Sequence, residues 1–182
     1  MKTRTLILTA LFAALTGMGA LIRIPMAPVP ITLQLLFCIM AGLVLKPVPA
    51  AASQLVYIAL GLLGLPIFSG GGGLGYVLKP SFGYLIGFVA GAFVCAAIIR
   101  RVKRLTWWKA LLSGMACVLC VYIIGVPYMV IMLNAATPGA MDAGKAIVSG
   151  FLVFLPGDAA KALLAALVAV KARPALLKTE NH

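Results

Sequence analysis

The chain has 182 residues, 64% hydrophobic and only 10% charged, with a formal net charge of +12. A soluble domain is nearer about 45–50% apolar and about 25% charged, so the composition excludes an ordinary water-soluble globule and defines an integral membrane protein. The basic residues sit between apolar runs without interleaved aromatics, which excludes a nucleic-acid surface and points to membrane orientation and anionic lipid.

Taken in order, the apolar runs predict six transmembrane helices forming an all-α bundle, one transmembrane unit over residues 1–182. The first span runs from Thr5 to Ile22. Lys2 and Arg4 precede it and Met18-Gly19-Ala20 is a small-residue stretch near its end, a signal-like pattern, but the segment is read as a retained span. The others are Ile31 to Leu45, Ala50 to Leu65, Phe82 to Ile99, Ala110 to Leu133 and Pro156 to Val170. Several are shorter than the roughly 20 residues of a full crossing. A further apolar segment, Ala143 to Phe154, is too short to cross alone. It is placed against the outer surface or partly inserted, with Asp142 capping its start. With the N-terminus inside, eleven basic residues fall inside and three, Arg23, Lys79 and Lys145, outside. The positive-inside rule therefore places both termini in the cytoplasm.

The unusual residues gather in the outer segments. Between the first two spans, Pro25, Pro28 and Pro30 forbid helix and stiffen the connection. Thr32 is placed to cap the second span, with Gln34 in its first turn. Gln34 is then either a polar side chain at the interface or part of the wall of an outward-facing pocket. Between the third and fourth spans, Gly70-Gly71-Gly72-Gly73 lies among Phe68, Tyr76, Phe82 and Tyr84. It lacks the Gly-Lys-Ser/Thr of a phosphate loop. A mobile aromatic loop of this kind reads as a lid, and the plainer alternative is a disordered connector. The fifth span carries Tyr122, Tyr128 and, at its outer end, Asn134. Pro127 would kink it and free a carbonyl.

The cysteines, Cys38, Cys95, Cys117 and Cys120, lie in apolar runs. Cys117-x-x-Cys120 has redox or metal spacing, but no second pair exists and the one histidine is His182. Packing thiols and no metal site are the reading.

The last span opens Leu155-Pro156-Gly157-Asp158-Ala159-Ala160-Lys161. Each charge inside a bilayer costs about 2.5–3.5 kcal/mol at mid-depth. Asp158 in a first helical turn suits the positive end of the dipole, whereas Lys161 there does not. At i, i+3 the two share a helix side. Together they offer a carboxylate to N–H donors and an ammonium to a carbonyl, the complement of a ureido or amide group. A ligand carboxylate would find Lys161, Lys79 or Arg23. No nucleophile–base set supports catalysis, so binding is the simpler reading.

Val29-Pro30-Ile31-Thr32-Leu33-Gln34, Gly72-Gly73-Leu74-Gly75-Tyr76 leading into Pro80-Ser81-Phe82-Gly83-Tyr84, and Leu155-Pro156-Gly157-Asp158-x-x-Lys161 together resemble the BioY family. These are biotin-specific substrate-binding (S) components of energy-coupling factor (ECF) transporters. The resemblance covers essentially the whole chain. It implies a multi-pass protein of a prokaryotic cell membrane, with no catalytic residues and no cofactor, and biotin as the transported ligand. Asp158 and Lys161 would hold the polar head group, joined by Gln34, Tyr84, Tyr122 and Asn134, with the glycine-rich segment as cover. The implied partners are a transmembrane scaffold (T) component and two cytoplasmic ATPases. Ala10 and Ala14 on the first span form the small-residue stripe that would meet the scaffold, unless that stripe serves packing within the chain. The alternative is a self-sufficient secondary transporter for a small vitamin or similar solute, which would need coupling-ion sites and usually repeated halves.

Overall fold

The computed structural model describes residues 3–102 and 104–178, with side chains of the last helix described through Ala172. Lys2, Lys103 and His182 lie outside the described residues. Six long helices form the bundle: α1 (Thr3–Leu21), α2 (Gln34–Val44), α3 (Pro47–Leu62), α4 (Phe82–Arg100), α5 (Trp107–Ala136) and α7 (Leu155–Lys178), with the short α6 (Ala143–Ile147) before the last. α1, α4, α5 and the stretch Ala143–Ala172 are long and apolar enough to cross a membrane.

Helix α2 is the axis of the bundle. It packs against α1, α3, α4, α5 and α7, and Cys38, Ile39, Ala41 and Leu43 are fully buried. A helix apolar on every side is a core helix, and this one is sealed by its neighbours, with little surface left for lipid. Its start differs from the expected Ile31. Ile31–Thr32 instead form a strand, β2, antiparallel to β1 (Arg23–Ile24), with Arg23 opposite Thr32. Pro30 immediately before β2 lacks an N–H, and the Leu33 N–H bonds the Gly19 and Ile22 carbonyls, so the chain is held in a hairpin before it turns helical. The hairpin turn includes a cis Ala27–Pro28 peptide.

Helix α3 starts at Pro47, earlier than expected, because prolines in a first helical turn lose no intrahelical bond. It ends at Leu62, before Gly64 at φ +106°. Thr16 of α1 and Ser53 and Gln54 of α3 form a buried polar link. The Thr16 hydroxyl donates to the Phe12 carbonyl at 2.8 Å, and Gln54 Nε2 donates to Ser53 Oγ at 3.0 Å and Thr16 Oγ1 at 3.4 Å. Polar side chains bonded in this way tie membrane helices together.

Helices α4 and α5 form the largest pair contact, and three glycines let them meet. Gly83, Gly87 and Gly91 recur every fourth residue on α4. A methyl on Gly87 would fall 2.8 Å from the Val121 Cα, and one on Gly91 would fall 2.8 Å from Cys117 Sγ. This is small-x-x-x-small packing, which brings backbones close enough for dispersion to hold them. Pro127 lies inside α5, a 30-residue helix that runs through it from Trp107 to Ala136. Leu112, Leu119, Ile123 and Ile131 on the same helix are exposed, as befits a lipid-facing side.

The segment before the last span is not a separate surface piece. α6, one π-helical turn (Val148–Leu152) and α7 follow almost without interruption. Asp142 caps α6, accepting from the Lys145 N–H at 2.8 Å, and that bond holds its carboxyl below the usual carboxylate range.

Gly87→Ala should destabilise the protein by about 1–3 kcal/mol, because the obstacle is backbone and cannot swing aside. Gly75→Ala, with open space around it, should stay within about 0.5 kcal/mol. Thermal unfolding of both variants in one detergent checks the contrast.

Candidate functional site

A cavity lies between the β-hairpin, α2, α4, α5, α7 and the glycine-rich segment. One wall is ionic. Asp158 and Lys161 sit on α7 with side chains 7% and 11% exposed, and Lys161 Nζ donates to Asp158 Oδ1 at 2.7 Å. The Tyr122 hydroxyl of α5 donates to the other carboxylate oxygen. The Asp158 N–H is already bonded to the Phe154 carbonyl at 2.9 Å. The carboxylate's partners are instead two side chains, Lys161 one turn on in α7 and Tyr122 of α5.

A second part of the lining is polar and neutral. Gln34, fully within the core, accepts from the Thr32 hydroxyl at 2.9 Å and donates to the Tyr57 hydroxyl at 2.5 Å, while Tyr57 donates to the Ile67 carbonyl at 3.1 Å. Tyr57 is therefore the residue that aims Gln34. Sequence reasoning missed it, although a tyrosine hydroxyl in the middle of an apolar run is the same signal that drew attention to Tyr122. Between the walls the lining is apolar, from Val29, Leu35, Leu85, Phe88, Val121 and Phe154.

The glycine-rich segment is ordered, not a disordered connector. Phe68 and Gly71 exchange backbone hydrogen bonds, Gly73 at φ +93° donates to Gly61 O, and Leu74–Leu78 form a 3₁₀ turn. Tyr76 is buried against Phe68, with ring centroids 4.5 Å apart. The Tyr76 hydroxyl lies 3.0 Å from both Ser69 Oγ and Ser81 Oγ, and all three residues line the cavity. The two serines were not anticipated from sequence.

Of the residues singled out in the sequence, Asp158, Lys161, Gln34, Tyr122 and Tyr84 meet at this cavity. Tyr84 contributes its ring. Its hydroxyl donates to the Gly150 carbonyl at 2.9 Å, and the ring stands edge-on to Tyr122. Asn134 is not among the cavity's lining residues. Its amide both donates to and accepts from the Met141 backbone at 2.9 Å, so it fastens the α5–α6 connection. Ala10 and Ala14 are exposed on α1. The cysteines are free thiols, with Cys38, Cys95 and Cys117 buried between helices. Among the described residues no group of three His, Cys, Asp or Glu is gathered as for a metal ion.

Chemically, the ionic wall retains unused capacity. The ammonium has three donors and spends one on Asp158, and the carboxylate has lone pairs beyond the two bonds made. An N–H donor beside a carbonyl matches that pair, and the apolar middle suits a hydrocarbon body. The fold and site thus define a multi-pass membrane protein with an internal binding cavity for a small solute that is polar at one end.

The chain belongs to the BioY family, whose model matches residues 1–178. It is 40% identical over 168 residues to a probable biotin transporter BioY of Lysinibacillus sphaericus, covering 92% of this chain and 86% of that one. It is 37% identical over 169 residues to the biotin transporter BioY of Thermotoga maritima, covering 92% and 95%. Its fold matches the crystal structure of the S-component for biotin from an ECF-type ABC transporter with a TM-score of 0.85 and 30% identity, over 95% of this chain and 92% of that one.

Removing one member of a buried ion pair leaves the other uncompensated, at a cost of about 3–5 kcal/mol. Lys161→Met should therefore destabilise the protein strongly, and adding Asp158→Asn should recover most of the loss. Unfolding of the two single variants and the double variant measures the coupling.

Proposed function

We propose that this chain is the membrane-embedded binding subunit for biotin uptake. It captures the vitamin from outside the cell and delivers it through an ECF energising module, a T component with two cytoplasmic ATPases. The observation that carries this reading is the buried Asp158–Lys161 pair, held by Tyr122 on the wall of a cavity with an apolar middle. The names of the relatives and of the structural neighbour support it.

In this reading the ureido group of biotin donates its N–H to Asp158 and receives Lys161 at its carbonyl. Tyr122 holds the carboxylate in place, Gln34 faces the ligand from the neutral part of the lining, and the Tyr84 ring packs beside it. Asn134 acts at one remove, by holding the α5–α6 connection. The glycine-rich segment covers the site. Both termini lie in the cytoplasm, supported by the basic excess at Lys46, Arg100, Arg101, Arg104 and Lys109. The exposed Ala10 and Ala14 let α1 approach the T component closely.

Purified protein should bind biotin without converting it. Asp158→Asn should weaken binding by about 10- to 100-fold, the loss of one or two hydrogen bonds to a charged group. Isothermal titration checks this, and unchanged affinity in a folded variant removes Asp158 from the site. Ala10→Leu with Ala14→Leu adds bulk to an exposed face. It should abolish co-purification with the T component and ATPases while biotin affinity stays the same.

A further inference from the structure

Tyr84 lines the cavity with its ring, and two glycines from other elements decide where that ring lies. Gly125 is one turn beyond Val121 on α5, the same side of the helix that reaches the cavity. A methyl there would fall 2.7 Å from both Cγ and Cδ1 of Tyr84 and 3.0 Å from Cδ2. The ring therefore rests directly on the α5 backbone, in space that any other residue type would fill. Gly150, in the π turn, seats the far end. Its carbonyl accepts from the Tyr84 hydroxyl at 2.9 Å. A methyl on it would meet that hydroxyl oxygen at 3.0 Å and Met129 Cε at 2.6 Å. Base and tip of one aromatic side chain thus lie on two bare backbones. Neither glycine is among the cavity's lining residues. The α4–α5 pairing is made at Gly83, Gly87 and Gly91, so what this seat chiefly sets is the position of the Tyr84 ring. Drawn back against α5, the ring stands edge-on to Tyr122 and tilted to Phe154, with centroids 6.4 Å away in each case. Tyr122 holds Asp158. The Tyr84 ring therefore borders the space next to the ionic wall, where the body of a ligand gripped by Asp158 and Lys161 must lie.

Resting on the biotin reading above, we infer that Gly125 and Gly150 are positioning residues that determine specificity. By letting Tyr84 lie back, they open a slot for two fused rings, and the protein thereby selects ring-fused cyclic ureas over single-ring ones, which leave part of the slot unfilled. Both glycines act through Tyr84. A side chain at position 125 drives the ring toward the cavity it lines, because the α5 backbone blocks the other direction, and an interior packed this closely absorbs such a shift poorly.

The test compares biotin with desthiobiotin, which keeps the ureido ring and the acid chain but lacks the sulfur-containing ring. Both are titrated calorimetrically into the purified full chain. The wild type should prefer biotin. Gly125→Ala should lower the biotin-to-desthiobiotin affinity ratio about tenfold, the scale on which a pocket discriminates a methylene of fit. Gly150→Ala should shift the ratio the same way by a smaller factor, since the Met129 methyl can swing aside, and it carries the test where Gly125→Ala does not fold. Gly42→Ala is the control for instability alone. Its methyl would fall 2.7 Å from Cys95 Cβ toward the other end of α2, so it should lower the unfolding temperature and leave the ratio unchanged. In a Tyr84→Leu background, Gly125→Ala should no longer move the ratio. A wild type without preference for biotin overturns the proposal, as does equal weakening of both ligands in Gly125→Ala and Gly150→Ala, which marks a structural role. A shift in the ratio that persists without the Tyr84 ring overturns it too. Binding of neither ligand by the wild type instead overturns the biotin reading itself.

Discussion

One carboxylate deep in an apolar bundle sets the terms for everything near it. Desolvating Asp158 is costly, and burial survives only because a cation and a phenol meet it from two helices. Lys161 comes from the same helix one turn on, so the ion pair is a local product of sequence. Tyr122 comes from α5, so the third contact exists only when α5 and α7 are docked. The polar wall is thus assembled by the packing, and the packing in turn must leave room beside it.

That room depends on the unusual thinness of the α4–α5 contact. With no side chain at Gly83, Gly87 or Gly91, the two long helices sit backbone to backbone. Their bulky residues are thereby left for other faces, Tyr84, Leu85 and Phe88 toward the cavity and the β-branched and leucine side chains toward lipid. The short α2 fills the centre, and its brevity has a function. Starting α2 only at Gln34, after a strand, lets Thr32 and Gln34 present polar atoms inside the protein. The hairpin satisfies the backbone groups that a helix would otherwise have paired.

Much of this was legible in the chain. Apolar runs gave the helices, and the isolated acid and base in the last run pointed to the ionic wall, because charges there have few structural excuses. Gln34 and Tyr122 were legible for the same reason. Three things were not. The strand at Ile31–Thr32 is invisible to hydropathy, since both residues suit a span as well as a hairpin. The continuity of α6 with α7 was hidden by Pro156, which reads as a start signal yet sits in a chain already turning helically. Asn134 carried the right chemistry at a plausible depth, but whether an amide faces a cavity or the nearest backbone is decided by tertiary geometry. The Gly-x-x-x-Gly repeat on α4 was present in the sequence and would have predicted the tightest helix pair.

The bond from the Tyr84 hydroxyl to the Gly150 carbonyl has a mechanical meaning. It ties the rim of the bundle, where the chain loosens into a π turn, to an aromatic ring that stands edge-on to the tyrosine gripping Asp158. The position of the π turn and the position of the Tyr84 ring are therefore set together, and through the edge-on contact the same bond bears on Tyr122.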